Sequence, residues 1–211
     1  MKLKKHHLIV ILYFFALNAC KQEKHFINEN DDLVKFEQVE NYFPVFLNDQ
    51  IADIYVSNAQ DEGIWMAAKN LQKDLYSLTG QIPKITRNID NLGSNPYIII
   101  GAIQTEDIAK LSSELPNKLN NKWEKFIIQG VSDPFELNQP ALLIAGSDKR
   151  GAIFGIYELV AKMGVSPWHW WADVPVIQQE IITVNTEPYT LEEPKVKYRG
   201  IFINVGLTHL S

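Results

Sequence analysis

Cysteine is almost absent from this sequence. Cys20 is the only one in 211 residues, so no intramolecular disulfide can form, and no Cys/His cluster has metal-ligand spacing. Of five histidines, His6, His7, His25 and His209 lie towards the ends, leaving His169 alone in the body. No metal and no cofactor is expected. An excess of basic charge is also missing: 20 Lys and Arg stand against 25 Asp and Glu, a formal net charge of −5. That balance repels a phosphate backbone, so nucleic acid is excluded as a partner. Nor is there an apolar run near the roughly 20 residues that cross a bilayer as helix. What is present is ordinary for a globular chain: 46% hydrophobic and 21% charged residues, enough to build a core and incompatible with wholesale disorder.

The N-terminus is basic through Lys2, Lys4 and Lys5, and Leu8 to Leu17 is then continuously apolar. Such a run suits the hydrophobic region of a secretory signal. It ends in Leu17-Asn18-Ala19-Cys20, which resembles a bacterial lipobox. Residues 1–19 are therefore read as a lipoprotein signal peptide and Cys20 as the lipidated residue. The resulting expectation is an exported protein held at the membrane by acyl chains rather than by a transmembrane helix. Residues 20–38 are polar and aperiodic and read as a tether.

Residues 39–186 alternate strand and helix signals. Ile51 to Ser57 has strand composition, and Ile64, Ala68, Leu71, Leu75 and Leu78 form one helical stripe that Gly80 closes. Ile82 to Thr86 is short and extended, and Tyr97-Ile98-Ile99-Ile100-Gly101 reads as a strand buried on both faces. Thr105 to Leu111 is a short helix, Trp123 to Gln129 a strand, and Pro140 to Gly146 another buried strand. Ser147 or Asp148 caps a helix with Ile153, Ile156, Tyr157, Val160 and Met163 on one face and Gly164 at its end. Ile181 to Val184 is a final strand. The pattern predicts an α/β fold, a mixed sheet packed with helices. Residues 187–211 read as a Pro- and Glu-rich linker followed by the opening strand, Lys197 to Asn204, of something further.

Two segments attract chemical attention. Gly146-Ser147-Asp148-Lys149-Arg150-Gly151 has the look of a phosphate loop but lacks the Lys and Ser or Thr that must follow the second glycine. Gly151 and Gly155 instead let the helix approach the sheet, while Lys149 and Arg150 at its N-terminus either suit a carboxylate or are solvated or ion-paired charges beside a cap. Trp168-His169-Trp170-Trp171 reads as a loop offering flat faces for sugar rings, or as packing surface.

Taken together, Ala145 to Gly151 with Gly155-Ile156-Tyr157, then Gly164 to Pro175, then Val196 to Asn204, resemble the N-terminal region of glycoside hydrolase family 115, the xylan α-1,2-glucuronidases. The resemblance covers roughly residues 40–204. It implies an accessory domain like domain 2 of β-hexosaminidases, followed by the orphan first strand of a missing (β/α)8 barrel, in an enzyme that removes glucuronic acid from plant glycans with inversion. Inversion needs two carboxyls held about 6.5–9.5 Å apart. The family continues Ile-Asn with Asp-Glu, whereas Asn204 is followed by Val205-Gly206-Leu207, so no catalytic residue carries over. The resemblance assigns glycan contacts to Ser147, Asp148, Lys149 and Arg150, to Trp168, His169 and Trp170 in an aromatic segment beside that loop, and to Asn204.

The expectation is therefore the N-terminal fragment of an exported α-glucuronidase-like hydrolase of xylan degradation, inactive alone. Its partners would be an acidic plant polysaccharide or oligosaccharide and the membrane, with self-association through the exposed barrel-facing surface. The alternative is a non-catalytic glycan-binding surface lipoprotein. A solute-binding receptor fits less well, because the chain is too short for a second lobe.

Overall fold

The computed structural model describes residues 32–200. Cys20, Asn204 and the signal-peptide reading lie outside them. Among the described residues, nine strands fall into two sheets. The smaller is antiparallel: β1 (Val34–Lys35), β9 (Ile182–Asn185), β2 (Tyr42–Leu47) and β3 (Gln50–Ile51), in that spatial order. The larger has five strands in the order β5 (Ile85–Thr86), β4 (Asp53–Tyr55), β6 (Tyr97–Ala102), β8 (Ala141–Gly146) and β7 (Phe126–Val131). All its pairings are parallel except that of β7 with β8. The mixed sheet is as expected, and the second sheet is an addition to it.

Chain segments that look continuous in sequence are shared between the sheets. The run from Ile51 to Ser57 is two strands: Ala52 N–H donates to Val45 at 2.8 Å while Asp53 N–H donates to Pro96 at 2.8 Å, so the chain changes sheet at one peptide. Val34 and Lys35, within the stretch read as tether, pair with Val184 and Thr183. That correction rests on burial of Leu33, a local anchor with no periodicity to announce it.

Five helices complete the body: α1 (Glu62–Thr79), α2 (Glu106–Ala109), α3 (Leu115–Leu119), α4 (Lys149–Lys162) and α5 (His169–Ala172). Asp61 caps α1 through Gly63 N–H at 2.7 Å, and Gly80 closes it in left-handed conformation. The α1 stripe is the predicted one: Ile64, Ala68, Leu71, Leu75 and Leu78 are all buried. The α4 face differs. Its buried residues are Gly151, Ala152, Gly155, Ile156, Leu159 and Val160, while Tyr157 is exposed. The two glycines turn the arc that meets the sheet towards themselves.

Alternate residues of β6 and β8 point to different clusters, as a strand's period of two requires. Ile98, Ile100, Leu142 and Ile144 pack under α1 and α4 together with the small sheet. Tyr97, Ile99, Leu143 and Ala145 pack with Ile108, Leu115 and Leu119 of α2 and α3. The mixed sheet is therefore covered on both faces, which accounts for its continuously apolar parallel strands.

The stretch read as an interdomain linker runs along the outer side of β7. Tyr189 and Ile128 exchange backbone hydrogen bonds of 2.8 and 2.9 Å, Thr190 Oγ1 donates to Phe126 O at 2.6 Å, and Glu193 accepts from Trp123 N–H at 3.0 Å. Residues 197–200 form no strand.

Candidate functional site

In an open parallel sheet, ligands collect where strand order reverses, beyond the carboxyl ends of the strands. Here β5 and β6 flank β4, so the reversal lies between β4 and β6. The crevice is filled by the chain itself. Gln60 is buried there, its Oε1 accepting from Ala102 N–H at 2.9 Å and its Nε2 donating to Thr105 Oγ1. Next along the edge, Gln104 Nε2 donates to the Ser147 carbonyl.

The loop after β8 divides its polar groups between structure and surface. Buried Ser147 accepts from Lys125 N–H through Oγ at 3.0 Å. Asp148 uses both carboxylate oxygens, Oδ1 for Gly151 N–H at 2.7 Å and Oδ2 for Glu124 N–H at 2.8 Å. These two residues hold backbone: the sequence offered either one as the helix cap, and Asp148 takes that role. Lys149 and Arg150 remain on the surface. Lys149 Nζ lies 3.2 Å from Asp61, and Arg150 lies 3.0 Å from Glu124 with its guanidinium over the Phe154 ring.

Glu124 is a residue that sequence reasoning missed. It adopts φ 55°, a left-handed backbone that a non-glycine residue holds only when its surroundings impose it. Its nearly buried carboxylate lies between Arg150 and Arg199, and Arg199 also sits over the Trp123 and Phe154 rings. Nothing in the local sequence marks it, because its partners lie 26 and 75 positions away.

The aromatic segment is a one-turn helix rather than a loop, ended by Asp173 at φ 50°. Trp168 is 63% and Trp171 85% exposed, and the backbone of Trp170 lies in the same turn. His169 Nδ1 is 2.9 Å from the Val174 carbonyl. The expectation that this segment sits beside the Ser147–Arg150 loop is corrected: the 14 residues of α4 separate them, about 20 Å at the α-helical rise of 1.5 Å per residue. The structure therefore keeps the predicted basic pair and the predicted aromatic pair at opposite ends of one helix.

Between those ends a groove of about 640 Å³ crosses the outer face of α4. Phe126, Phe154, Val160 and Val165 supply apolar surface, α1 borders it with Asn70, Lys73 and Asp74, and Leu191, Glu192 and Pro194 wall the other side. Glu158 is engaged by Tyr189 Oη at 2.7 Å and Lys162 at 3.6 Å, and Asn70 Nδ2 donates to Tyr157 Oη at 2.9 Å. Asp74 is 9% exposed. Burial pushes its carboxyl up to about 6, against the weaker opposing pull of His169 and then Lys73. No group of three or more acidic, His or Cys side chains able to hold a metal occurs among the described residues.

The Asp74 shift has a definite sign. Because the folded-state value lies above the ordinary 3.8, the folded protein holds the proton more tightly than the unfolded chain, and stability falls as pH rises from 4 to 6. Asp74→Asn should remove that loss. We expect a gain of about 2 kcal/mol at pH 8 and none at pH 4, read from urea unfolding at both pH values. An equal gain at both would show that the carboxyl's charge is not the cause.

No family model matches the chain, and no curated protein does. Among solved structures it is similar to one described as "a novel family GH115 4-O-methyl-alpha-glucuronidase, BtGH115A, with specificity for decorated arabinogalactans", with a TM-score of 0.56 and 26% sequence identity. The likeness covers 71% of this chain and 18% of that enzyme. The mixed α/β body with its packed helices is, in fold, GH115-like.

Proposed function

We propose that this chain is the α/β accessory domain of a family 115 α-glucuronidase-like glycoside hydrolase, serving glucuronic-acid-decorated plant glycans such as xylan without cleaving them itself. The observation that carries this reading is the fold likeness to the GH115 enzyme at 26% identity over 71% of the chain. The chemistry of the strand-end rim supports it. Lys149 and Arg150 stand on that edge with exposed side chains, each in a surface ion pair that it can exchange for a uronate carboxylate, while Asp148 is held by two backbone donors. Export and lipid attachment at Cys20 belong to the same proposal and rest on the basic, apolar and Ala19-Cys20 pattern of the N-terminus.

The exposure of Trp168 and Trp171 favours a second reading, a glycan-binding lipoprotein in which those rings stack on sugars. One experiment addresses both. Glucuronic acid release from glucuronoxylan is measured beside a titration with acidic xylo-oligosaccharides, using the protein, Lys149→Ala/Arg150→Ala and Trp168→Ala/Trp171→Ala. We expect no release, and at least tenfold weaker binding for the basic-pair variant. Loss confined to the tryptophan variant supports the second reading. Release at the rate of an intact glucuronidase would overturn the assignment of a non-cleaving domain.

A further inference from the structure

The groove over α4 is left unused by the glycan reading, and its chemistry is wrong for an acidic sugar. Four carboxylates line it, Asp74, Glu124, Glu158 and Glu192, against one lysine, Lys73. Glu124 and Glu158 are each neutralised by neighbouring cations, whereas Glu192 is exposed on one wall and Asp74 faces the groove from the other. Asp74 is nine-tenths buried, and His169 and Lys73 act on it through space. A carboxyl largely shielded from water, open only towards the groove and left to long-range compensation, is favoured by a cation that seats on it. The rest of the surface is apolar and aromatic, with Phe154, Val165 and Pro167 beside the half-exposed Tyr157 ring.

Shape narrows the occupant. The groove follows α4 for about two turns, from Phe154 to Ala161, between the parallel wall of α1 and the 191–194 segment. A helix is about 10 Å across and buries a stripe of side chains spaced three and four apart. Such a stripe with one cation among apolar neighbours matches a buried carboxyl in an apolar trough.

We propose that this groove is a docking site for an amphipathic helix of another polypeptide, which lays its apolar face on Phe154 and Val165 and presents a lysine or arginine to Asp74. The site is independent of the glycan reading, since it shares neither Lys149 nor Trp171. Docking converts a desolvated carboxyl into a buried ion pair, so affinity tightens between pH 5 and 7. The groups that face Asp74 in that range are Lys73 on its own helix, His169 on α5, Tyr157 and Glu158 on α4, and Glu192 on the far wall.

The test uses the full chain and two fluorescent 16-residue model helices, one of leucine and lysine and one of leucine and glutamate with the same apolar stripe. Binding of the lysine helix at pH 7, at least tenfold tighter than that of the glutamate helix, is expected. Asp74→Asn should weaken it at least tenfold, and Ala161→Arg, which fills the groove from an exposed position, should abolish it. Asp173→Asn, an exposed acid outside the groove, should leave it unchanged. Asp74→Asn and Ala161→Arg are checked by circular dichroism to be folded. Equal binding of the two helices, binding insensitive to Asp74→Asn, or an equal loss with Asp173→Asn would each overturn the proposal, as would failure of the lysine helix to bind.

Discussion

Gly151→Ala is expected to lower the melting temperature by about 10 °C or more. A Cβ built at Gly151 would stand 2.2 Å from the Lys125 carbonyl oxygen and 3.1 Å from its carbon. Both are backbone atoms of the turn that feeds β7, so no side-chain rotation relieves the clash. The first turn of α4 would have to lift from the sheet, and that turn carries the Asp148 cap, the Ser147–Lys125 backbone pair at 2.8 Å and the contact of Gly155 with Ile144 and Phe126. Overpacking of a core ordinarily costs 1–3 kcal/mol. With rigid backbone on the receiving side we expect about 4 kcal/mol or more, a large part of the stability of a domain this size. Thermal unfolding followed by circular dichroism provides the measurement. Ala161→Gly, exposed on the same helix, is the reference and should cost only about 1 kcal/mol. A Gly151→Ala protein that melts within a few degrees of the unsubstituted one would refute the close approach.

The second large effect is expected at Asp148. Its two carboxylate oxygens hold Gly151 N–H at 2.7 Å and Glu124 N–H at 2.8 Å, one donor opening a helix and the other opening a strand. Loss of an N-cap alone costs about 1 kcal/mol. A buried donor left without an acceptor adds about 1–3 kcal/mol, and Glu124 then loses the bond that stabilises its left-handed backbone. Asp148→Ala should therefore cost about 3 kcal/mol by denaturant titration. Asp148→Asn, which retains one acceptor, should recover part of the loss. Equal losses for the two would mean that the negative charge matters rather than the paired geometry. Asp148 thus works in the fold, although its position on a basic loop suggested contact with a ligand.

That outcome illustrates what the sequence made legible. The stripe of α1 and the apolar runs of β6 and β8 follow from local periodicity, and each stands where the pattern placed it. The Asp148 cap was equally visible, because a cap acts within three residues. The small sheet was hidden. β2 contains Pro44 and a register shift between Pro44 and Phe46, and its partner β9 lies about 140 residues away in the chain. The hand-over at Ala52 was hidden for the same reason, since hydrogen bonds to Val45 and Pro96 leave no mark on residues 51–55 themselves. Of the candidate site, the types of chemistry were readable and their arrangement was not. Lys149 and Arg150 are exposed cations and Trp168 and Trp171 exposed rings, yet the helix between them holds them apart. Asp74 lay unnoticed among polar positions of α1. Only the packing of α4 and α5 beside it makes its carboxyl a buried one.

The Tyr189–Thr190 segment does more than guide the chain past β7. β7 ends its sheet, and the outer side of a terminal strand offers unpaired amides and carbonyls on which a foreign strand can grow. Tyr189 covers the Ile128 groups, Thr186 accepts from Gly130 N–H at 2.8 Å and Thr190 covers the Phe126 carbonyl, so the row is already taken. Anything that peels this cover away, a protease cutting near Pro188 for example, would uncover an adhesive border. Shielding of this edge from strand addition therefore rests on residues 186–193, tied down by backbone hydrogen bonds and by the Tyr189 ring.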